Sequence, residues 1–265
     1  MVRQAHHEAV IFGGRWYEAL DPLTDRFPRE FADILSRQGR RVLAGTHALV
    51  GALADPRTRF TSADDLIDAR AAARLRALLD RHLWDALDRI DRPIPPETIW
   101  DMTEDYGELL PKATRVSTVY FDSAREAGAR VARRIGLDTM LRSQSFRAFA
   151  AALAGRDLAD GWGRQLLCYG PGDYAGPHND HHPRNRRARG GYIDVHLSLA
   201  APSVAHQWLV YARAGHFTET VPVATPATIS AYRLPFWHYV TPLVAKPGRA
   251  RTARRWVLLG TFLYA

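Results

Sequence analysis

Three side chains in the C-terminal half could share one metal ion. His178 and Asp180 stand two positions apart in Tyr-Ala-Gly-Pro-His-Asn-Asp-His-His (174–182), and His238 follows Asp180 by 58 residues in Tyr-Arg-Leu-Pro-Phe-Trp-His-Tyr-Val-Thr-Pro-Leu. In an extended segment, positions i and i+2 point to the same side, so an imidazole and a carboxylate spaced this way can grip one ion. Two histidines and one carboxylate on one face of an ion leave its other face open, which suits a redox metal such as Fe(II) that must bind small molecules and O₂. The spacing alone decides little. A chain with 11 His and 20 Asp in 265 residues contains His-x-Asp about once by chance.

The surrounding elements carry more weight. Arg-Gln-Leu-Leu-Cys-Tyr-Gly-Pro-Gly-Asp-Tyr (164–174) reads as a strand closed by a Gly-Pro-Gly turn. Short strand-like runs follow at 192–199, 206–211, 227–234 and 254–264, with turn residues between them. That pattern argues for a sandwich or jelly roll. In 192–199, Asp194, His196 and Ser198 fall on one face and Ile193, Val195, Leu197 and Leu199 on the other. In a small barrel that holds a ligand, the polar face lines the cavity, which makes His196 and Ser198 candidate cavity residues. Tyr174, His182 and Trp237 stand beside the expected ligands in the chain and complete the candidate pocket set, although Trp237 suits the core better. His181 should point away from Asp180 by parity, and His206 and His216 belong to a middle hairpin.

The order Tyr169-x-Pro-Gly, His178-x-Asp180, apolar strand 192–199, His238 followed by Val240 and Pro242, and a basic residue opening the last strand resembles the 2-oxoglutarate- and Fe(II)-dependent dioxygenases, especially their prolyl-hydroxylase-like branch. The resemblance spans roughly residues 140–265. It implies a mixed α+β chain with a double-stranded β-helix (jelly-roll, cupin-like) core. It also implies a metal triad of His178, Asp180 and His238, with Fe(II) and 2-oxoglutarate as cofactors. O₂ and a small molecule such as an amino acid or natural-product intermediate would be the substrates, and succinate and CO₂ would be released with hydroxylated product. In related halogenases the carboxylate position is Gly or Ala, so Asp180 favours hydroxylation. The distal carboxylate of 2-oxoglutarate needs a cation, ideally the planar fork of Arg. The resemblance favours Arg255 over its neighbour Arg254, because Arg255, Val257, Leu259 and Thr261 then face inward. The 17 residues from His238 to Arg255 imply a long intervening hairpin. Tyr169 resembles a tyrosine that hydrogen-bonds the same co-substrate, and Ser198 joins it on that side. An oxygenase of proteins or nucleic acids, and a non-oxygenase cupin-like metal protein, are the competing functions.

Upstream, the chain reads as a helical region over residues 1–112 that packs on the 113–265 core or acts as a lid. Ser62-Ala-Asp-Asp65 resembles a capping box for a helix over 62–90, with Ile67, Ala71, Leu75, Leu79, Leu83, Leu87 and Ile90 at helical spacing and Arg92-Pro-Ile-Pro-Pro as its stop. Residues 28–54 suggest a second helix weakened by Gly39, Gly45 and Gly51. Thr114–Phe121 alternates as a strand, Ser123-Ala-Arg-Glu126 opens a helix to about Ile135, and Ser143–Leu153 forms the last helix, capped by Gly155.

Composition limits the alternatives. Hydrophobic content is 46% and charged content 24%, ordinary for a globular domain. No run of 18 apolar residues and no apolar leader is present, which argues against a membrane span. Cys168 is the only cysteine, which excludes an internal disulfide and fits a reducing, cytoplasmic setting. The net charge of +8 comes almost wholly from arginine, since only Lys112 and Lys246 are lysines. The arginines lack the interleaved aromatic platforms of a nucleic-acid face. Their clusters at 184–189 and 249–255 flank the candidate site, where an anionic substrate or co-substrate is the simpler partner.

Overall fold

The computed structural model describes residues 10–12, 15–17, 26–94, 113–122, 126–180 and 191–265. In chain order the elements are β1 (Val10–Phe12), β2 (Arg15–Tyr17), α1 (Arg37–Leu43), β3 (Phe60–Ala63), α2 (Ala69–His82), β4 (Asp88–Pro93), β5 (Ala113–Tyr120), α3 (Ala127–Arg134), α4 (Leu137–Leu141), α5 (Gln144–Ala154), β6 (Leu158–Tyr169), β7 (Tyr174–His178), β8 (Tyr192–Ala200), β9 (Val204–His206), β10 (Trp208–Arg213), β11 (His216–Pro222), β12 (Thr228–Leu234), β13 (His238–Val240), β14 (Val244–Ala245) and β15 (Arg255–Tyr264). Short 3-10 turns lie at Phe31–Ile34, Trp84–Ala86 and Ala250–Thr252.

Eleven strands form one curled antiparallel sheet, ordered β11-β10-β13-β7-β5-β6-β15-β8-β12-β3, with β4 added on β5. Strand β5 is the seam. Its residues Ser117–Tyr120 pair with β6, while Thr114 and Arg115 pair with β7. The two halves of the sheet therefore face each other, and an inner layer of Val116, Tyr169, Leu209, Val223, Tyr232 and Val257 packs between them. This is a double-stranded β-helix core.

Strict alternation on β8 sorts the two layers. Ile193, Val195, Leu197 and Leu199 point outward and are buried against the helices, while Asp194, His196 and Ser198 point inward. The outer layer is completed by α5, whose Ser143 cap accepts from Phe146 N and whose end is Gly155 at φ +66°, in the left-handed region. Its Phe146, Phe149 and Leu153 are buried, and burial of each contributes about 1.5–3 kcal/mol.

The N-terminal region is less helical than its periodicity suggests. Ser62 belongs to β3, which pairs with β12, so the helix starts later, with Asp68 as the cap accepting from Ala71 N. It ends at His82, and Ile90 lies in β4. Helical spacing persists by coincidence through a segment that gains more by joining the sheet. Residues 28–54 give only a 3-10 turn and the short α1. Gly39 sits inside α1 because a Cβ there would lie 2.1 Å from the Leu66 carbonyl oxygen, a backbone group that cannot yield. Helix α3 starts at Ala127, and the Ser123 half of the expected capping box lies outside the described residues. No helix among the described residues is long and apolar enough to cross a membrane.

Candidate metal centre

Strands β7 and β13 are neighbours, and His178 and His238 are directly opposed in their register. The two imidazoles therefore lie side by side, with ring centroids 4.3 Å apart. Each ring is held the same way. His178 Nδ1 donates to Gly176 O at 2.6 Å, and His238 Nδ1 donates to Phe236 O at 2.7 Å. A carbonyl on Nδ1 fixes the tautomer and leaves Nε2 as an unprotonated donor for a metal. Asp180 closes the triangle, its carboxylate oxygens lying 3.5 Å from His178 Nε2 and 3.7 Å from His238 Nε2. One atom from each of the three residues lies within 4.8 Å of the others. Three ligands at bonds of about 2.1 Å and right angles stand about 3 Å apart, so a small inward movement would seat one ion.

Asp180 reaches this place by a route that simple alternation does not describe. Strand β7 ends at His178, and Asp180 takes a left-handed backbone with φ +53°, a conformation Asp tolerates better than most residues. Its backbone carbonyl accepts from the buried Tyr192 hydroxyl. A bulge in β7 also intervenes, since His238–Val240 of β13 faces Ala175–His178, two steps against three. Ala175 and His178 consequently share the inner face. Tyr174 is turned outward, half-buried, with the Arg115 guanidinium 6.0 Å from its ring centroid, and is not a cavity residue. Trp237 likewise lies outside the cavity lining, because its neighbours Phe236 and His238 take the inner positions. His182 lies outside the described residues, as do His181 and the arginines of 184–189.

The triad opens into a cavity of about 320 Å³ between the two halves of the sheet. Arg255, 3% exposed, lines the same cavity. It donates from Nε to Gln207 Oε1 at 2.6 Å and from Nη1 to Ser198 Oγ at 2.7 Å. The guanidinium lies 4.6 Å from the ring centroid of Tyr169, which is directly opposite it in the β6–β15 register. None of these partners is a carboxylate, and among the described residues Arg255 has no anionic partner. Burial accordingly pushes its pKa down, and pushes the Tyr169 phenol up to about 12. Arg254 faces the other way, 3.5 Å from Asp80 Oδ1 and stacked on Trp84. Ser198 serves the site through Arg255 and does not line the cavity itself.

Two further groups are notable on β8. His196 lines the cavity, its ring centroid 4.5 Å from that of Tyr232, and burial lowers its pKa to about 3. Its Nε2 has no hydrogen-bond partner among the described residues. Asp194 is buried, its Oδ1 has no partner among the described residues, and burial, then the nearby Asp180 charge, raises its pKa to about 8 against the Thr261 hydrogen bond. Burial first and His178 second lower His238 to about 4.

Sequence reasoning missed Gln207 and Arg89. Gln207 is fully buried, and its Nε2 donates to Thr241 O and Asp173 O while Oε1 holds Arg255. Arg89 grips the buried Asp173 with two bonds of 2.7 and 2.6 Å, tying β4 to the turn after β6. With Arg89 so anchored, Ile90 and Arg92 of the same strand face the cavity. Neither residue has a local signature, since both act through partners far away in the chain.

No protein-family model matches the sequence, and no curated protein matches it. Solved structures do. The non-heme alpha ketoglutarate dependent epimerase SnoN from nogalamycin biosynthesis shares 14% identity over 86% of this chain and 81% of its own, with a TM-score of 0.51. An oxidoreductase of the 2OG-Fe(II) oxygenase family from Burkholderia pseudomallei shares 12% identity over 85% and 90%, with a TM-score of 0.50. A Pseudomonas putida prolyl-4-hydroxylase covers 82% of this chain and 99% of its own at 15% identity, with a TM-score of 0.45. The chain thus has the fold of the 2-oxoglutarate- and Fe(II)-dependent oxygenases.

Proposed function

We propose that this protein is a non-heme Fe(II)- and 2-oxoglutarate-dependent oxygenase that hydroxylates a small molecule, such as an amino acid or natural-product intermediate. The observation that carries the reading is Arg255, a buried cation without an anionic partner among the described residues, in the same cavity as the His178, Asp180 and His238 group. Leaving a buried charge uncompensated costs several kcal/mol. A carboxylate ligand reaching from Arg255 towards the triad would compensate it, and 2-oxoglutarate is such a ligand with a metal-chelating keto acid at its far end.

The three triad side chains would hold the iron on one face, their Nε2 atoms and carboxylate already converging. Bound iron would supply O₂ activation coupled to oxidative decarboxylation of the co-substrate to succinate and CO₂. Arg255, kept in place by Gln207 and Ser198 and stacked on Tyr169, would bind the distal carboxylate. Apolar wall residues such as Val116, Leu167 and Val257 exclude water from the space between. A cavity of about 320 Å³ supports a small molecule over a macromolecule. Asp180 fills the coordination position that chloride would need, which favours hydroxylation. We read residues 26–83 as a buttress more than a lid, since Phe31, Ile34 and Leu79 are buried in one cluster with α5 and the outer face of β8, while Ile90 and Arg92 of β4 line the cavity.

The test is succinate formation from 2-oxoglutarate with Fe(II) and O₂, screened against amino acids, small natural products and peptides, with product mass recorded. Gain of one oxygen atom in a small molecule is expected. Metal binding with no response to 2-oxoglutarate would replace the reading with a cupin-like metal protein, and turnover on peptides alone would replace the substrate class. SnoN is an epimerase, so a product of unchanged mass would keep the oxygenase reading and discard hydroxylation.

A further inference from the structure

We propose that His196 is a positioning residue that hydrogen-bonds the metal-proximal keto-acid end of 2-oxoglutarate, an inference that rests on the reading above. The register along β15 and β8 carries it. Arg255 lies opposite Ala200, Val257 opposite Ser198, and Leu259 opposite His196. The guanidinium is bonded to Ser198 Oγ, so a carboxylate bound by Arg255 sits near the Ser198 level. The next inward position towards the mouth of the cavity is His196, about 6.6 Å further along the strand. The carboxylate carbons of an extended five-carbon diacid are about 5 Å apart. A co-substrate clamped at Arg255 therefore brings its other end level with His196.

The triad lies at that same height. The His196 ring is 4.5 Å from Tyr232, Tyr232 is 5.2 Å from His238, and His238 is 4.3 Å from His178, measured between centroids. His196 is thus one ring removed from the metal ligands, on the wall beside the path from Arg255. Its Nε2 is buried and has no hydrogen-bond partner among the described residues, a state a polar atom keeps in a stable interior only when a ligand or water completes it. The charges that surround it are those of the proposed site: His238, Asp180, Arg255 and His178. Burial keeps the ring neutral, so it can offer one N–H without adding a second charge beside the metal. Tyr232 faces the ring edge-on and cannot tilt it away from the cavity without losing that contact.

The experiment uses the full chain loaded with Mn(II), without O₂, titrated calorimetrically with 2-oxoglutarate and with glutarate, which keeps the distal carboxylate but lacks the keto acid. His196→Ala should weaken 2-oxoglutarate about tenfold or more and leave glutarate within about twofold, as expected for losing a hydrogen bond to a charged group. His196→Asn, which can still donate an N–H, should recover part of the loss, and it serves as the folded control if the alanine variant is unstable. Equal weakening of both diacids, or unchanged 2-oxoglutarate binding in the variants, would overturn the inference while leaving the proposed function standing. Failure of the unaltered protein to bind 2-oxoglutarate would overturn both.

Discussion

Replacing Arg255 with methionine should separate binding from stability. The change removes two hydrogen bonds to the guanidinium, at 2.6 and 2.7 Å, each contributing about 1.5–3 kcal/mol, and the stack on Tyr169, contributing about 1–2 kcal/mol. It also removes a buried cation whose desolvation costs several kcal/mol and which no carboxylate among the described residues compensates. These terms nearly cancel, and a methionine of similar length fills the space. Unfolding of metal-free Arg255→Met in denaturant should therefore differ from the parent by no more than about 2 kcal/mol, in either direction. Co-substrate binding should behave differently. Truncating one partner of a buried charge pair costs about 2–5 kcal/mol, which is about 30-fold to several thousand-fold in affinity. The thermal shift produced by 2-oxoglutarate on the Mn(II)-loaded protein, about 2.7 kcal/mol of stabilisation at a hundred times Kd, should fall to about 0.9 kcal/mol or less at the same concentration. Arg254→Ala is the control, since it loses a half-exposed pair with Asp80 and a stack on Trp84 and should leave the shift intact. A variant at Arg255 that keeps the shift, with Arg254→Ala losing it, would refute the inward register of β15 and with it the co-substrate site.

Single alanine variants of His178, Asp180 and His238 should each lose metal-dependent stabilisation in the same thermal assay, and a variant that keeps it would remove that residue from the group. Gln207→Leu should cost about 2–4 kcal/mol in chemical denaturation, because it strands the Thr241 carbonyl and frees the buried Arg255 Nε, while Asp173 O keeps its bond from Leu243 N, and it should weaken 2-oxoglutarate as well. Asp194 makes metal-free stability fall with rising pH: its folded pKa of about 8 lies above the ordinary 3.8, so its contribution is complete below pH 4 and is lost between about pH 4 and 8. Asp194→Asn mimics the protonated acid and should gain on the parent across that window, by up to about 5 kcal/mol at pH 8. His196, lowered to about 3, destabilises only as pH falls below about 6.5, and it does so equally in both proteins, leaving their difference unaffected. A flat difference in urea titrations at pH 5 and pH 8 would show that Asp194 ionises freely in the folded state.

Much of the site is legible in the linear chain because its information is local. Alternation along 192–199 separates inward side chains from helix-facing ones, and β8 obeys it at every position, although of the inward set only His196 lines the cavity. The same period assigns opposite directions to Arg254 and Arg255, and β15 turns Arg255 inward. The types at 178, 180 and 238 are those of a candidate metal group, and the fold brings them together. Tertiary structure decided the remainder, where the answer depends on partners distant in sequence. The bulge in β7 arises only when that strand pairs with β13, and it reverses the parity that would have sent Tyr174 into the cavity. Asp180 is delivered by a left-handed residue beyond the strand end, anchored by a hydroxyl from β8. Ser62 and Ile90 carry helical spacing yet lie in strands, because open sheet edges at β12 and β5 offer hydrogen bonds that a lone helix end could not replace. Gln207 and Asp173 are unremarkable polar residues until the fold brings Arg255 and Arg89 against them. A period of two or 3.6 residues is written along the chain, whereas which strand lies alongside which is settled by burying both faces of the sheet at once.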